Sequence, residues 1–254
     1  RDHVRVLYGI EVSEATISAG TDLVIADVNA WRQRPLEARY AIVWLDAIHF
    51  KVKEEGRVVN KAVYTILGVG PDGHKDLLGL YVGQHEGAKF WLTVLHDLRQ
   101  RGVEDMLIAC IDNLSGFSEA ISLVYPSSDI QLCIVHQVRN TLKYVSYKHY
   151  KEVVKDMRAI YRAPNEVQAL KALEVFSDKW GERYPQAVNS WRTNWPLLAS
   201  QYRYSERIRK LIYTTNPIEG FHAQLRKYTK TKRVFASDMA LLQLLFLAQK
   251  RILQ

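Results

Sequence analysis

The stretch "YAIVWLDAIHFKV", residues 40 to 52, is a mostly apolar run, which is typical of a strand buried inside a sheet. Two further strand-like runs follow it, "RVVNKAVYTILGVG" at 57 to 70 and "KDLLGLYVGQ" at 75 to 84. Between these two runs, "PDGH" at 71 to 74 has the composition of a tight turn. Three strands joined by short connections predict an antiparallel meander.

After the meander, helix and strand patterns alternate along the chain. "EGAKFWLTVLHDLRQRG" (86 to 102) has the periodicity of an amphipathic helix closed by Gly102. "MLIACID" (106 to 112) predicts a fourth strand, "GFSEAISLVYP" (116 to 126) a second helix and "DIQLCIV" (129 to 135) a fifth strand. The predicted order βββαβαβ is an α/β fold whose mixed sheet combines an antiparallel meander with parallel crossover strands.

The rest of the chain has helical patterns. After about residue 136 the strand signals stop, and helices are predicted with breaks at three prolines, Pro164, Pro185 and Pro196. A late helix is predicted to begin at Asn216 and another near Ser237.

The N-terminal residues 1 to 30 also have apolar residues at helical spacing. "LYGIEVSEATIS" (7 to 18) has the outline of a helix-turn-helix, but a plain helical hairpin fits equally well. "RQRPLEAR" (32 to 39) is predicted to be a linker, because proline and charged residues interrupt the pattern.

The composition is that of a globular protein with a basic surface. The chain has 254 residues, a formal net charge of +8 and a pI of about 9.4. No apolar run approaches the roughly 18 residues of a transmembrane helix, and the first residues lack the features of a signal peptide. With two cysteines, Cys110 and Cys133, in apolar strand-like runs, we expect a reduced, cytoplasmic protein with no membrane partner.

The basic residues are concentrated late in the chain. Residues 203 to 233 contain nine Lys or Arg against two acids, Glu206 and Glu219. A solvated helix face usually mixes the two signs. The run therefore favours a surface that binds a polyanion, with nucleic acid ahead of an anionic membrane.

Two apolar runs end in aspartate, at Asp46 and at Asp112. In sheets of this kind, sites form beyond the carboxyl ends of the strands. If the first and fourth strands are neighbours, the two carboxylates lie side by side, repel each other and need a cation between them. Oxygen ligands suit Mg²⁺. Alternatively, each aspartate simply ends its strand and begins a turn.

The segment "TTNPIEGFHAQLRK", residues 214 to 227, contains a helix start and a third carboxylate. Asn216 is a good N-cap, and Pro217 suits the first helical position. Glu219 can then either bond back to the N–H of the cap as a structural clip or turn outward to a metal.

Five segments, taken together, resemble the Mutator-type bacterial insertion-sequence transposases. In chain order they are "WLDAIHFKV", "DNLSGFSEAI", "QLCIVHQVRN", "WRTNWPLL" and "YTTNPIEGFHAQLRK". The resemblance implies the RNase H-like fold of DDE transposases, with Asp46, Asp112 and Glu219 as the catalytic, metal-binding triad. The long interval before Glu219 fits, because the family places a helical insertion there.

The resemblance also implies a reaction and its partners. The reaction is metal-dependent DNA cleavage and strand transfer of an insertion sequence, with two Mg²⁺ or Mn²⁺ ions and without a covalent protein–DNA intermediate. The partner is double-stranded DNA, both transposon ends and target, bound by a homodimer associated with the nucleoid. Glu219 is then expected to turn to the metal, which predicts a weak or absent bond to the N–H of Asn216.

The resulting domain assignment has four parts. Residues 1–38 are expected to be a partial helix-turn-helix-like segment with a linker, 39–136 the first part of the RNase H-like core, 137–205 the helical insertion and 206–254 the last part of the core. A chain that starts inside a helix-turn-helix region and stops soon after the Glu219 helix suggests a fragment. A catalytically inactive or truncated DNA-binding derivative and an RNase H-like nuclease are the alternatives.

Further residues are candidates with open alternatives. The Cys133-x-x-His136 pair is half a zinc site without a second pair, so no zinc finger is expected; a buried Cys with a hydrogen-bonded His, or a His136 touching phosphate, both fit. Trp191 and Trp195 are most often core at this spacing, although one could stack on a flipped base. The predicted DNA-binding residues are Lys51, His136, Arg139, Arg226, Lys227, Lys230, Lys232 and Arg233, of which Lys51 could instead be merely solvated.

Overall fold

A computed structural model describes residues 14–83, 87–213 and 217–253 of the chain. It is a mixed α/β fold built on a five-stranded sheet with the order β3-β2-β1-β4-β5. The strands are β1 Arg39–Glu54, β2 Arg57–Val69, β3 Lys75–Gly83, β4 Asp105–Ile111 and β5 Asp129–Leu132. β1 is antiparallel to β2 and parallel to β4, so the predicted meander and crossover strands are confirmed.

Helices cover both faces of the sheet and follow its last strand. None of the described helices is long and apolar enough to cross a membrane. In chain order the α-helices of the described residues are α1 Glu14–Gln33, α2 Ala88–Gln100, α3 Phe117–Val124, α4 Ile134–Leu142, α5 Tyr150–Tyr161, α6 Glu166–Trp180, α7 Pro185–Leu198, α8 Glu206–Tyr213, α9 Pro217–Thr229 and α10 Asp238–Ile252.

Local signals explain several of these boundaries. The side chains of Asn165 and Ser237 accept hydrogen bonds from the backbone N–H three residues on, so each caps the helix that follows. Gly102, with φ of +109°, takes the left-handed turn that ends α2. These three ends are the kind that sequence patterns predict well.

Four boundaries differ from the prediction. β1 does not end at Asp46 but continues to Glu54, paired with β2 throughout. β5 stops at Leu132, so Cys133 lies at the start of α4 rather than in a strand. Pro196 lies inside α7 and does not break it, since the helix ends two residues later. The helix that carries Thr16 and Ser18 is α1, which is 20 residues long rather than short; the preceding half of the predicted helix-turn-helix lies outside the described residues.

The hydrophobic core lies on both sides of the sheet. On one face, Trp91 of α2 is fully buried between Tyr64 and Phe117, at ring-centroid distances of 4.8 and 4.4 Å. On the other face, α9 packs on β1 and β2, while α10 packs on β3 and on α1; Phe50 and Phe221 belong to the same buried cluster there. This second face carries the side chain of Asp46, and it positions the candidate site.

The helices after β5 are tied to the sheet by buried polar contacts. Gln131 of β5 accepts a hydrogen bond from the hydroxyl of Ser200 at 2.6 Å and donates one to the carbonyl of Leu198. Trp191 of α7 is fully buried and donates its indole N–H to Thr141 of α4. The helical segment from α4 to α7 is thus fixed in orientation relative to the strand ends.

Candidate active site

Asp46 and Asp112 occupy equivalent positions on neighbouring strands. The parallel pairing of β1 with β4 ends at Leu45 and Ile111, and each of these two residues is followed by an aspartate. Neighbouring strands lie about 4.8 Å apart. The expectation that the two residues lie side by side is therefore met, although Asp46 is in mid-strand rather than at its end.

The Asp46 carboxylate is buried against helix α9. Asp46 as a whole residue is 8% exposed. Oδ1 accepts a hydrogen bond of 2.7 Å from the N–H of Ala47, and Oδ2 lies 3.5 Å from Nδ1 of His222. Asp46 is thus oriented by its own backbone and faced by an imidazole.

Asp112 is held by the first turn of helix α4. Cys133 is the N-cap residue of this helix, and His136, three residues on, places its Nδ1 against Oδ1 of Asp112. Burial lowers the pKa of His136, but its hydrogen bonds to Asp112 and Cys133 outweigh this and raise the pKa to about 11. His136 is therefore an imidazolium in this arrangement and neutralises the Asp112 charge.

Glu219 lies in the first turn of α9 and is bound by Arg139 of α4. The guanidinium donates to both carboxylate oxygens, with Nη1 2.5 Å from Oε1 and Nη2 3.2 Å from Oε2. Nε2 of His136 lies 3.8 Å from Oε1. The expected weak bond to the N–H of Asn216 cannot be compared, because Asn216 lies outside the described residues. The carboxylate itself is engaged on the side of α4.

Each of the three predicted metal ligands thus has a basic side chain beside it, and His136 lies between two of them, Asp112 and Glu219. One group of His, Cys, Asp or Glu side chains in the described ranges has three ligand atoms within 4.8 Å of one another, and it consists of Asp112, Cys133 and His136. Asp46 and Glu219 lie outside this group. In this structure the three carboxylates are neighbours, and each faces its own cationic or imidazole partner.

His222 is a site residue that the predicted set did not include. It lies three residues after Glu219, hence on the same face of α9, and that spacing was its available signal. Burial, with Arg226 and His136 adding to it, lowers the pKa of His222 to about 4. The ring is neutral at pH 7, and its buried Nε2 has no hydrogen-bond partner within the described part of the chain.

Most of the predicted DNA-binding residues gather in one groove. This basic groove, of about 640 Å³, lies between the end of the β1–β2 hairpin and the C-terminus of α9. His49, Asn60 and Thr229 also line it. The predicted cations along it are Lys51, Arg226, Lys230, Lys232 and Arg233, all exposed, whereas Lys227, Arg139 and His136 do not line it.

Part of the basic run of residues 203 to 233 has an internal role instead. Arg209 is buried and donates to the carbonyls of Ala163 and Pro164. Arg203 pairs with Asp129 at 2.8 Å, and Lys210 pairs with Glu206 at 2.8 Å. The helix α8 and its neighbourhood therefore contribute less free positive charge than the sequence suggests, and the charge is concentrated after Arg226.

The two tryptophans of α7 differ. Trp191 is core, as the spacing favours, and its ring is not accessible to a base. Trp195 is partly buried and stacks on Tyr202 at a centroid distance of 6.5 Å. It lines a cavity of about 270 Å³ together with Leu170 and Arg192.

Comparison with known proteins gives one family. The family model described as "Transposase, Mutator family" matches residues 1–252. The chain is similar to the transposase for insertion sequence element ISRM3 of Rhizobium meliloti, with 48% identity over 246 residues, 96% of this chain and 62% of that protein. It is also similar to a probable insertion-sequence transposase of Corynebacterium diphtheriae, with 40% identity over 246 residues, 96% of this chain and 72% of that protein.

The match takes in nearly all of this chain but only part of the ISRM3 relative. The chain spans 62% of the length of the ISRM3 relative. A comparison of structures gives the HTLV-2 integrase catalytic core domain in complex with magnesium, with 16% identity, 58% of this chain and 88% of that chain covered, and a TM-score of 0.28.

Proposed function

The chain belongs to the Mutator family of transposases, and we propose that it carries out metal-dependent DNA cleavage and strand transfer of an insertion sequence. The proposed catalytic residues are Asp46, Asp112 and Glu219. The observation that carries the proposal is the register of β1 and β4. It makes Asp46 and Asp112 neighbours on the sheet, while α9, which carries Glu219, packs on the same face.

The donor set fits the cofactor that this chemistry needs. All three proposed ligands are carboxylates, and hard oxygen donors of this kind suit Mg²⁺ or Mn²⁺. Asp46, Asp112 and Glu219 would hold the ions, two in number. Bound divalent ions supply an activated attacking oxygen and neutralise the charge that develops on the phosphoryl group.

The basic partners of the carboxylates have a positioning role in this proposal. His222 and the Ala47 N–H fix the two oxygens of Asp46. Arg139 is 58% exposed at its side chain and binds Glu219. We propose that Arg139 exchanges Glu219 for a DNA phosphate, since a guanidinium binds either group in a bidentate manner.

The basic groove is the proposed track for the DNA backbone. It is lined by Arg226, which lies on the same helix as Glu219, two turns further along. A duplex phosphate chain along this groove therefore leads towards the carboxylates. Double-stranded DNA as substrate also implies association with the nucleoid and, because two transposon ends must be brought together, a homodimer.

The proposed domain organisation follows the same interpretation. Residues 39–136 and 206–254 form an RNase H-like core, and residues 137–205 form a helical insertion between its parts. Residues 1–38 are assigned to a helix-turn-helix-like segment with its linker. The observed succession of five strands and then helices α4 to α7 supports this division.

The experiment that tests the function is the substitution Asp46→Asn in the full chain. Nicking of supercoiled plasmid DNA in Mg²⁺ or Mn²⁺, and joining of a labelled oligonucleotide with a 3′-OH, are measured beside DNA binding. Metal-ion stabilisation of a transition state is worth several kcal/mol, so we expect both reactions to fall by at least about 100-fold. DNA binding should be nearly unchanged.

Asp178→Asn is the matched control, because Asp178 is an exposed carboxylate on α6. It should nick and join DNA as the wild type does. Nicking that survives Asp46→Asn contradicts the catalytic assignment. Nicking without joining in the wild type indicates a nuclease, and binding alone indicates an inactive DNA-binding derivative.

A further inference from the structure

Three side chains of different chemistry converge beside the proposed triad. A thiol, an imidazole and a carboxylate, from Cys133, His136 and Asp112, have ligand atoms within 4.8 Å of one another. Cys133 is the N-cap residue of α4, His136 lies in the first turn of that helix, and Asp112 follows β4. The sequence offered only the Cys-x-x-His half of a site, and the fold adds a third donor.

The donor set selects a different metal from the one proposed for DNA cleavage. Thiolate and imidazole ligands favour Zn²⁺ and related borderline ions over Mg²⁺. Ligands that share a tetrahedral zinc lie about 3.3 to 3.6 Å apart, given Zn–S and Zn–N distances of about 2.3 and 2.0 Å. The spread of at most 4.8 Å therefore closes onto one ion with side-chain movements of about 1.5 Å or less.

Because a histidine binds a metal as the neutral ring, the ion would replace the proton that Nδ1 of His136 shares with Asp112, and that proton would be released to solvent. The surroundings of the ring then match those of a metal-bound histidine. In most such sites one ring nitrogen binds the metal and the other faces a carboxylate or a carbonyl. Here Nδ1 faces Asp112, where the ion would lie, and Nε2 faces Oε1 of Glu219 at 3.8 Å. Glu219 would thus be the outer partner of the histidine.

We propose that Asp112, Cys133 and His136 form a three-ligand site for Zn²⁺, with a fourth position left to water or another oxygen ligand. Because Asp112 is shared, occupation of this site removes it from the set that would hold Mg²⁺. Zn²⁺ would therefore inhibit strand cleavage. The inhibition rests on the proposed function, whereas the binding does not.

Co²⁺ binding to the 254-residue chain tests the site without any catalysis. Co²⁺ takes the place of Zn²⁺, and a cysteine ligand gives it a thiolate-to-metal charge-transfer band in the near ultraviolet. The chain has two cysteines, and neither forms a disulfide. Cys110 is fully buried in β4, so Cys110→Ala is the control for Cys133→Ser.

We expect the band in the wild type and in Cys110→Ala, its loss in Cys133→Ser and in His136→Gln, and its removal when Zn²⁺ is added. A wild type without the band, or a band that survives Cys133→Ser, overturns the proposal. Circular dichroism of each variant shows whether it is folded. If Cys133→Ser does not fold, alkylation of the Cys133 thiol is measured in the wild type instead. We then expect Zn²⁺ to protect this thiol from alkylation. Alkylation at the same rate with and without Zn²⁺ overturns the proposal.

A second measurement separates the two proposals. Zn²⁺ is titrated into the plasmid-nicking reaction at fixed Mg²⁺ with the wild type and with Cys110→Ala, and both should be inhibited in the range of Zn²⁺ that displaces Co²⁺. If the chain binds Co²⁺ but nicks no DNA even without added Zn²⁺, the zinc site is supported and the proposed function is contradicted. If the chain nicks DNA but shows no thiolate band with Co²⁺, the proposed function is supported and the zinc site is contradicted.

Discussion

The basic groove makes a quantitative prediction about DNA binding. Lys230 and Arg233 are exposed, line the groove and make no ion pair within the described part of the chain. Lys232 is less suitable for substitution, because its ammonium lies 5.4 Å from the centre of the Phe235 ring and so has a packing role as well. The double variant Lys230→Gln, Arg233→Gln therefore removes charge with little effect on the fold.

The magnitude follows from counterion release. Each duplex phosphate neutralised by a cation contributes about 0.9 to the slope of log K against log salt. If both side chains contact phosphates, the slope falls by about 1.8 in magnitude. At 0.1 M salt this corresponds to a loss of affinity of about 60-fold, which shrinks to about 20-fold at 0.2 M and vanishes near 1 M.

The assay is fluorescence anisotropy of a labelled duplex over a series of salt concentrations. The matched control is Lys179→Gln, Lys210→Gln, which lowers the formal net charge of +8 by the same two units outside the groove. Both control lysines are exposed and already paired, Lys179 with Glu152 and Asp156, and Lys210 with Glu206. Equal losses and equal slopes for the two double variants would mean that only net charge matters, and the groove would be refuted as the DNA track.

Two stability predictions concern the sheet and its core. Burial, and then the nearby Asp76, raise the pKa of Tyr40 to about 12, so its stabilising effect is complete below the unfolded pKa of about 10 and is lost as the pH rises to about 12. Between pH 10 and pH 12 the free energy of unfolding of the wild type should fall by about 2–3 kcal/mol more than that of Tyr40→Phe, as measured by urea unfolding at each pH. If the two free energies fall in parallel as the pH rises, the assignment is contradicted. Trp91→Ala should lower the free energy of unfolding by about 3–5 kcal/mol, because the indole fills the core between Tyr64 and Phe117; a loss below about 1 kcal/mol in urea would mean that the core closes around the gap.

The strands and their succession along the chain could be predicted because apolar runs, turns and helix periodicity are local signals. The run at residues 40 to 52 predicts a strand in this way, but the local pattern leaves open whether Asp46 ends a strand or lies within one. That depends on pairing with β2, whose partners are remote in the chain. Likewise "CIV" after Leu132 is as apolar as a strand, yet it begins a helix. There the packing of α4 against α7, with Ile134 in the core, outweighs the β propensity of Cys, Ile and Val.

The basic run shows a second limit of sequence patterns. Charge density alone could not distinguish Arg209, which is buried against the carbonyls of Ala163 and Pro164, from the exposed Arg226. Both are arginines in helices with apolar neighbours. The difference arises because α8 packs under the α5–α6 connection, and no local pattern contains that contact.

The candidate site follows the same division between local and remote information. Its candidate acids could be selected from the sequence, because Asp46 and Asp112 each follow an apolar run and Glu219 follows a helix start. Their partners His222, His136 and Arg139 could not be assigned to particular acids, since each pairing joins elements distant in the chain. These pairings also reduce the repulsion among the acids: the His136 imidazolium and the Arg139 guanidinium compensate the charges of Asp112 and Glu219, whereas the neutral His222 beside Asp46 adds no charge. A divalent ion that enters the site must therefore compete with the protein's own basic groups, and DNA phosphates are the groups able to draw Arg139 away. If Arg139 exchanges Glu219 for a DNA phosphate as proposed, DNA would strengthen metal binding at Glu219 and so couple formation of the catalytic site to arrival of the substrate.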